Sequence, residues 1–282
     1  MLSGDAEHGE PPPAEHGEPP PPASRAARKK RRKKCVEPFD AFALIGMPFI
    51  LAFTGAVWGL ALAPSVYAFL VVLRDTAGAP LWKQALAYGI TLGVGYVTWG
   101  VCVLLEVGVV GFVFRPNLGE GRVSMKSATA MRWVLAAVLH KIAQPMLVLL
   151  VPSFFSTLYY KMMGCAVGPG AILNTEKIND CFMVRVGAGS VVGGAASING
   201  HILEKGGLVL APVSIGEACI IGAQSMIGPG CEIGDGAVIG ARAILTKFSK
   251  VPPGEVWAGM PAKCIRRADG SKPPPPAPDS NG

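Results

Sequence analysis

The first half of the chain carries two long apolar runs. Residues 41–73, between Asp40 and Arg74, contain no charged side chain. A second run lies between Lys83 and Arg115 and is interrupted only by Glu106. About 20 apolar residues cross a bilayer as a helix, so both runs predict transmembrane helices within residues 38–116. We expect the carboxyl of Glu106 to lie near the membrane interface; the alternative is a position facing another helix.

A third apolar stretch, residues 131–161, has a different pattern. It contains His140, Lys141 and Gln144 near its middle, and Pro145 and Pro152 interrupt its second half. Proline removes a backbone donor and kinks or breaks a helix. The part without charge is therefore short, and residues 117–161 are expected to form an amphipathic helical segment that lies in the interface and does not span it.

The basic residues predict the orientation of the spans. Eight of the 26 lysines and arginines lie within residues 25–34, and the segment after the second run is also basic. The loop between the runs carries only Arg74 and Lys83. Positive-inside logic therefore predicts both termini and the C-terminal domain on the cytoplasmic side, which requires an even number of spans. A nuclear address or a nucleic-acid patch is the alternative for residues 25–34, but the adjacent apolar run favours a membrane flank and no nucleic-acid partner is expected.

Composition agrees with this division. Half of the residues are hydrophobic, only 16% are charged, and the formal net charge is +7. Residues 1–37 contain AEHGEPPP twice in succession and, like residues 268–282, are predicted to be a disordered tail. The seven cysteines form no C-x-x-C pair, so reduced thiols are expected and a zinc site is not.

From residue 167 onward, aliphatic positions recur every six residues. The unbroken part of this pattern consists of the pairs Ile215-Gly216, Ile221-Gly222, Ile227-Gly228, Ile233-Gly234 and Ile239-Gly240. Four positions after each aliphatic residue comes a small one, such as Cys219 or Cys231. A period of six fits neither a helix nor simple strand alternation.

This spacing predicts a triangular solenoid in which each hexapeptide forms one short strand and one corner. Three hexapeptides, or about 18 residues, complete one coil, and coils stack at about 4.8 Å. Ile215, Ile233 and Val251 should then form one interior ladder, and Ile221 with Ile239 another. Glycine is expected to allow the tight corner geometry, and the two cysteines should lie inside as small hydrophobes. Roughly five coils fit between residues 167 and 256.

The closing segment VPPGEVWAGMPAKCIRR (251–267) resembles the coil exit of hexapeptide-repeat acyltransferases. A narrower resemblance involves FRPNLGEGRV…RW (114–133), FFSTLYYKMMGCAVGPGAILNT (154–175) and the H-x-L-E-K of residues 201–205. These segments are similar to the C-terminal membrane module of polylysine-synthetase-type nonribosomal peptide synthetases. The resemblance implies that residues 162–267 form an all-β left-handed parallel β-helix, preceded by two transmembrane α-helices and an interfacial helix. It also implies a homotrimer with active sites between neighbouring subunits.

His201 is the leading catalytic candidate. It lies in INGHILEKGG (198–207), where the period slips: Ile198 to Leu203 is five residues, and the spacing of six then resumes. Such a slip lifts the backbone off the wall of the solenoid. The resemblance implies that a histidine acts as general base on a hydroxyl or amine acceptor, and an imidazole titrates in the range where it can do so. Glu204 is close enough in sequence to orient or stabilise the imidazole. The alternative is a solvent-exposed loop histidine without a functional role.

Other polar residues are weaker candidates. Acceptor contacts are predicted from Asn174 and Asn199, with Thr175 and Asp180 also available, although polar corner residues are common in any solenoid. The resemblance implies that coenzyme A phosphates and pantetheine lie along the C-terminal coils, where the basic residues are Lys247, Lys250 and Lys263. A solvated basic face explains these lysines nearly as well.

The sequence thus predicts a membrane-anchored acyltransferase that moves an acyl group from acyl-CoA or another carrier-bound thioester to a small-molecule or peptidyl acceptor. No permanently bound cofactor or metal is expected. The γ-class carbonic anhydrase, another enzyme of this scaffold, needs three histidine ligands, and the repeat domain contains one histidine. The alternative function is a non-catalytic, trimerising β-helix that organises a membrane assembly. In both cases, membrane lipid is an expected partner.

Overall fold

The computed structural model describes residues 37–115, 117–204 and 207–273. The chain divides into two units, Met1–Phe49 and Ile50–Gly282. The first contributes only helical residues, 37–49, to the described part, and the second contains the remaining elements. The predictions for the basic block, for residues 1–36 and for residues 274–282 lie outside the described residues.

Three helices in the described part are long and apolar enough to cross a membrane, by length and composition. They are α1 (Glu37–Asp75), α2 (Leu81–Val113) and α3 (Ala128–Leu150). The first two coincide with the predicted spans. The third begins with an N-cap, because the Ser127 hydroxyl accepts a hydrogen bond from the backbone N–H of Ala130 (3.1 Å).

Residues 117–161 differ from the single helical segment that the sequence predicts. Strand β1 (Gly121–Ser124) comes first, and α3 is followed by a separate helix, α4 (Phe154–Met162). Pro152 separates the helices because it offers no N–H to continue α3, and Ser153 with Ser156 forms a capping box that starts α4. The partner of β1 is β8 (Gly207–Leu210), 86 residues along the chain, and local sequence carries no signal for such a pairing.

Residues 166–266 form a β-helix with three parallel sheets. One sheet has the strand order β15-β12-β9-β4-β2, the second β16-β13-β10-β5-β3 with β17 added antiparallel at the end, and the third β14-β11-β6. The strands are β2 (Ala166–Val167), β3 (Ile172–Leu173), β4 (Val184–Val186), β5 (Val191–Val192), β6 (Ser197–Ile198), β9 (Val213–Ile215), β10 (Ile220–Ile221), β11 (Met226–Ile227), β12 (Glu232–Ile233), β13 (Val238–Ile239), β14 (Ile244–Leu245), β15 (Lys250–Val251), β16 (Val256–Gly259) and β17 (Ala262–Arg266).

The register of these sheets follows the six-residue period. Ile233 pairs with Ile215 and with Val251, as the predicted ladder requires. Within each short strand the two side chains alternate, so that Ile227 is 0% exposed and its neighbour Met226 is 47% exposed. Cys219 and Cys231 are buried, as predicted. Backbone hydrogen bonds join successive coils, such as that from the Gly216 N–H to the Ile233 carbonyl (2.8 Å), and burial of the aliphatic side chains inside the coils adds the hydrophobic effect.

The glycine after each aliphatic residue is needed for close approach of the next coil, and not for the tight corner geometry that the sequence predicts. Gly216 and Gly222 have ordinary φ angles, and positive φ occurs at other corners, such as Gln224 (59°) and Arg242 (60°). A Cβ at Gly216 would lie 2.3 Å from Asp235 Oδ1, and one at Gly222 would lie 2.4 Å from the backbone nitrogen of Ala241. These glycines are required because the next coil passes directly over them.

The slip in the period is a β-hairpin that leaves the coil. Strands β7 (His201–Glu204) and β8 (Gly207–Leu210) pair antiparallel, and β1 adds to the outer side of β8. The hairpin closes at its base, where the Ala211 N–H donates to the carbonyl of Gly200 (2.9 Å). His201 is thus the first residue off the wall of the β-helix, which is where the interrupted period predicts it.

Candidate active site

The imidazole of His201 contacts a buried carboxylate. Its Nδ1 lies 2.7 Å from Asp180 Oδ2. The His201 side chain is 25% exposed, whereas that of Asp180 is 2% exposed. Asp180 immediately precedes a turn of 3-10 helix, Cys181–Met183, which inserts between β3 and β4. The pair therefore joins two irregular segments, one from each of two successive coils.

Three N–H groups hold the Asp180 carboxylate in place. The Gly200 backbone N–H donates to Oδ2 (2.8 Å), as His201 does, and the Trp133 indole N–H donates to Oδ1 (2.8 Å). A carboxylate offers only acceptors, so His201 must donate from Nδ1. The lone pair of the imidazole is then on Nε2, at the edge of the ring away from Asp180. This is the tautomer that a general base needs.

Trp133 brings the apolar α3 helix into the site. Its ring centroid lies 4.6 Å from that of His201, with the planes tilted by 58°. The indole belongs to a small apolar cluster beneath the hairpin, formed by Leu118, Val123, Ala130, Trp133, Phe182, Met183, Leu208 and Leu210. Burial of this cluster fixes the hairpin, the 3-10 turn and α3 against one another, and it shields one side of the dyad from water.

Glu204 is not the carboxylate that hydrogen-bonds His201. In strand β7, positions 201 and 204 point to opposite faces, because side chains alternate along a strand. The Glu204 carboxylate forms an ion pair with Lys247, which is a predicted coenzyme A contact. The catalytic assignment of Glu204 stays a prediction, and its place in the structure makes it a partner of the C-terminal coils.

The other predicted ligands for coenzyme A lie on different faces of the β-helix. Lys250, in β15, forms an exposed ion pair with Glu232 (3.1 Å). Lys263, in β17, is exposed at the end of another sheet. The structure of this single chain therefore does not bring these two side chains and Lys247 to one place.

The predicted acceptor contacts are also separated. Asn199 directly precedes Gly200, and its side chain accepts from Asn179 Nδ2 (2.6 Å) and donates to Ser197 Oγ (3.2 Å). Asn174 follows β3, on a different face of the β-helix from Asn199, which follows β6. Asn199 is therefore the nearer of the two to the dyad along the chain.

The sequence offers Asp180 only as one of several polar corner residues and does not single out Trp133 as a site residue. Asp180 lies 21 positions from His201 and 47 from Trp133, and no spacing rule connects them. Among the described residues, no group of three or more His, Cys, Asp or Glu side chains could hold a metal ion. Burial raises the pKa of Cys165 to about 12 and raises that of Cys181 as well, so these thiols stay protonated and unreactive near neutral pH.

Comparisons with known proteins locate the repeat. Residues 212–247 match the family model described as "Bacterial transferase hexapeptide (six repeats)". Delta-poly-L-ornithine synthetase from Acinetobacter baumannii is 25% identical over 153 residues, which cover 54% of this chain and 11% of that protein. The chain thus spans about a ninth of the length of this curated relative.

Two acetyltransferases are among the solved structures to which this chain is similar. Maltose O-acetyltransferase from Clostridium difficile 630 is 17% identical, with a TM-score of 0.41, over 52% of this chain and 92% of that chain. Galactoside acetyltransferase in complex with coenzyme A is 22% identical, with a TM-score of 0.40, over 52% of this chain and 86% of that chain. The family match, together with the six-residue register of the sheets, confirms that this chain carries a hexapeptide repeat domain.

Proposed function

We propose that the chain is a membrane-anchored acyltransferase in which His201 is the general base and Asp180 orients it. The observation that carries this proposal is the 2.7 Å contact between Nδ1 of the partly exposed His201 side chain and the buried Asp180 Oδ2. Two findings on the chain support acyl transfer as the chemistry: the match of residues 212–247 to a transferase repeat, and the similarity to a delta-poly-L-ornithine synthetase.

The proposed reaction is a direct transfer between two bound substrates. His201 Nε2 accepts the proton of a hydroxyl or amine acceptor as the oxygen or nitrogen attacks the thioester carbonyl. The carbon–sulfur bond then breaks, and the imidazolium returns its proton to the leaving thiolate. Asp180 stays ionised throughout and stabilises the imidazolium, while the Trp133 and Gly200 N–H groups keep the carboxylate from turning away.

The acyl donor in this proposal is acyl-CoA or another carrier-bound thioester. Lys247, Lys250 and Lys263 remain the candidate contacts for it, and Asn174 and Asn199 those for the acceptor. Because these residues are dispersed on one chain, their joint use requires a cleft between subunits. We therefore include a left-handed β-helix and a homotrimer in the proposal.

An exposed apolar stripe supports self-association. Ile172, Val191 and Ile220 occupy the outward positions of β3, β5 and β10 and are exposed, and they are in register along one sheet. Contiguous exposed aliphatic side chains on a regular face are typical of a surface that another subunit covers. A stripe that runs along the stacking direction of the coils suits an equivalent chain with the same repeat.

The helix contacts support two complete membrane crossings. Met146 and Leu150 of α3 pack against Gly100, at about the middle of α2, while Met162 and Met163 at the end of α4 pack against Gly108 and Gly111. Helix α3 thus runs along α2 from the C-terminal end of α2 towards its middle, and α4 runs back towards that same end. From Gly100 to Val113 is about 20 Å of helix, against a hydrocarbon thickness of about 30 Å, so this segment is too shallow to cross.

A segment that enters and leaves on one side keeps the number of crossings even. It thus supports the cytoplasmic placement of the β-helix and of both termini that the basic residues predict. In this proposal the dyad lies close to the membrane, because Trp133 belongs to the same helix, α3, whose C-terminal half packs on α2.

The proposal is tested by thioester consumption with purified full-length protein and a panel of hydroxyl and amine acceptors. His201→Ala should reduce the acceptor-dependent rate about 10²- to 10⁴-fold, the usual share of general base catalysis. Gln224→Ala, at a corner of another coil, should leave the rate unchanged. Equal rates for wild type and His201→Ala would remove His201 from the chemistry, and a complete lack of turnover with every donor would favour the scaffold alternative.

A further inference from the structure

A cavity of about 340 Å³ lies at the C-terminal end of α2. Its apolar walls include Val113, Leu135, Leu139 and Phe182. The end of α2 and the exposed Leu135 belong to the part of the molecule that the helix contacts place at the membrane boundary. The floor of the cavity is thus suited to hydrocarbon.

Two guanidinium groups, those of Arg115 and Arg132, line the same cavity, and no carboxylate does. Neither arginine forms an ion pair with any residue in the described ranges. Arg115 is fixed in place, because its Nη2 donates to the carbonyls of Lys161 (3.3 Å) and Met162 (3.4 Å) and its guanidinium lies over the ring of Phe112 (5.5 Å). Its remaining donors are available to a ligand.

The close packing of α4 on α2 explains why Arg115 is placed so firmly. A Cβ at Gly111 would lie 2.2 Å from Met163 Sδ, so glycine lets the end of α4 approach α2 without a shift of this methionine side chain. The carbonyls that accept from Arg115 are those of Lys161 and Met162 at the C-terminus of α4, and the Lys161 carbonyl also accepts from the Gly164 N–H (3.0 Å). The Arg115 side chain is therefore positioned at the mouth of the cavity in the absence of a ligand.

An apolar floor with two cations at its mouth matches one class of ligand. Guanidinium groups pair with phosphate through several charge-assisted hydrogen bonds, and the apolar walls suit the carbons that adjoin the headgroup. We propose that this cavity binds a phosphate-bearing anionic amphiphile of the membrane, with its phosphate on Arg115 and Arg132 and its first acyl carbons between α2 and α3.

The site is separate from the dyad but shares two elements with it. Arg132 is next to Trp133 on α3, and Phe182 lies two residues after Asp180 in the segment that carries the catalytic carboxylate. A lipid bound here would therefore rest against both segments that position the base. The binding proposal does not depend on acyl transfer, because it concerns the cavity and can be measured without turnover.

The test is native mass spectrometry of the full-length chain in detergent with three probes. Dioleoyl phosphatidic acid carries the phosphate and the chains, dioleoylglycerol carries the chains alone, and glycerol 3-phosphate carries the phosphate alone. We expect the phosphatidic acid to bind at least about tenfold more tightly than either fragment, since a hydrogen bond to a charged group contributes about that factor. Equal binding of dioleoylglycerol or of glycerol 3-phosphate would overturn the proposal.

Matched variants locate the binding. Arg115→Gln and Arg132→Gln should each weaken phosphatidic acid binding about tenfold. Leu135→Trp, a change at an exposed position, should also weaken it by filling the cavity. The single controls Arg74→Gln and Arg242→Gln each remove the same net charge elsewhere and should each leave binding within about twofold. If the controls lose as much affinity as the cavity variants, the interaction is a diffuse attraction and the site does not exist.

Discussion

The substitution Asp180→Asn separates the electrostatic role of this side chain from its shape. The two side chains have almost the same volume, but asparagine offers one carbonyl oxygen where the carboxylate offers two. Three N–H donors converge on Asp180: those of Gly200, His201 and Trp133. An asparagine amide cannot accept from all three positions, because one side of it is itself a donor.

Both orientations of the new amide have a cost. If its oxygen faces Gly200 and His201, its NH₂ group meets the indole N–H of Trp133, and a buried donor is left unsatisfied at a cost of about 1–3 kcal/mol. If the amide is turned, its NH₂ group forces His201 to accept at Nδ1, so that the proton moves to Nε2. That tautomer has no lone pair on Nε2, the ring nitrogen away from residue 180, and cannot act as the proposed base.

We expect Asp180→Asn to lower the acceptor-dependent rate of thioester cleavage about 10²- to 10⁴-fold. This corresponds to about 2.7–5.4 kcal/mol of transition-state stabilisation. The assay measures the release of free thiol with a chromogenic disulfide. The thermal unfolding midpoint of each variant is measured first, to verify that the variant is folded. Asp235→Asn is the control, since Asp235 accepts an N–H bond from Glu217 at an exposed corner. A rate for folded Asp180→Asn within about twofold of wild type would refute the dyad.

Four further predictions test other parts of the structure. Trp133→Phe removes one donor to Asp180 and should lower the same rate about tenfold. If the rate is unchanged, the indole contributes only packing. Ile227→Ala should cost about 2–5 kcal/mol of unfolding free energy and Met226→Ala much less, by chemical denaturation. Ile220→Glu should convert a trimer to monomers in sedimentation analysis, whereas an unchanged mass would exclude this stripe from the interface. Because burial raises the pKa of Cys165 from 9.0 to about 12, its thiol should react with iodoacetamide at pH 8 about a thousandfold more slowly than in urea, and should gain reactivity only as the pH rises toward 12.

The link between α3 and the dyad bears on what the proposed membrane anchor does. An anchor that only tethers the domain could be joined to it by any linker. Here the same helix that packs on α2 through Met146 also donates the indole N–H of Trp133 to Asp180. A change in the depth or tilt of α3 would therefore change the hydrogen bond to the Asp180 carboxylate, which contacts His201.

Local periodicity alone determined the repeat domain and the first two apolar helices. The spacing of Ile215, Ile221 and Ile227 specifies a coil with a fixed number of residues per turn, and each coil buries its aliphatic positions against the next. The interruption at residues 198–207 likewise marked His201, because a solenoid can lift a side chain away from its wall only where its period fails. These are short-range signals, so the sequence contains them directly.

Tertiary structure decided which groups stand next to the histidine. Glu204 is three residues from His201 and faces the other side of its strand, whereas Asp180 reaches it from the preceding coil and Trp133 from a helix that the sequence assigned to the membrane surface. The sequence cannot reveal these two partners, because their contacts depend on how a 3-10 turn, a hairpin and α3 pack around one apolar cluster. Proximity along a chain predicts side chains on the same element, and a catalytic dyad is made where different elements meet.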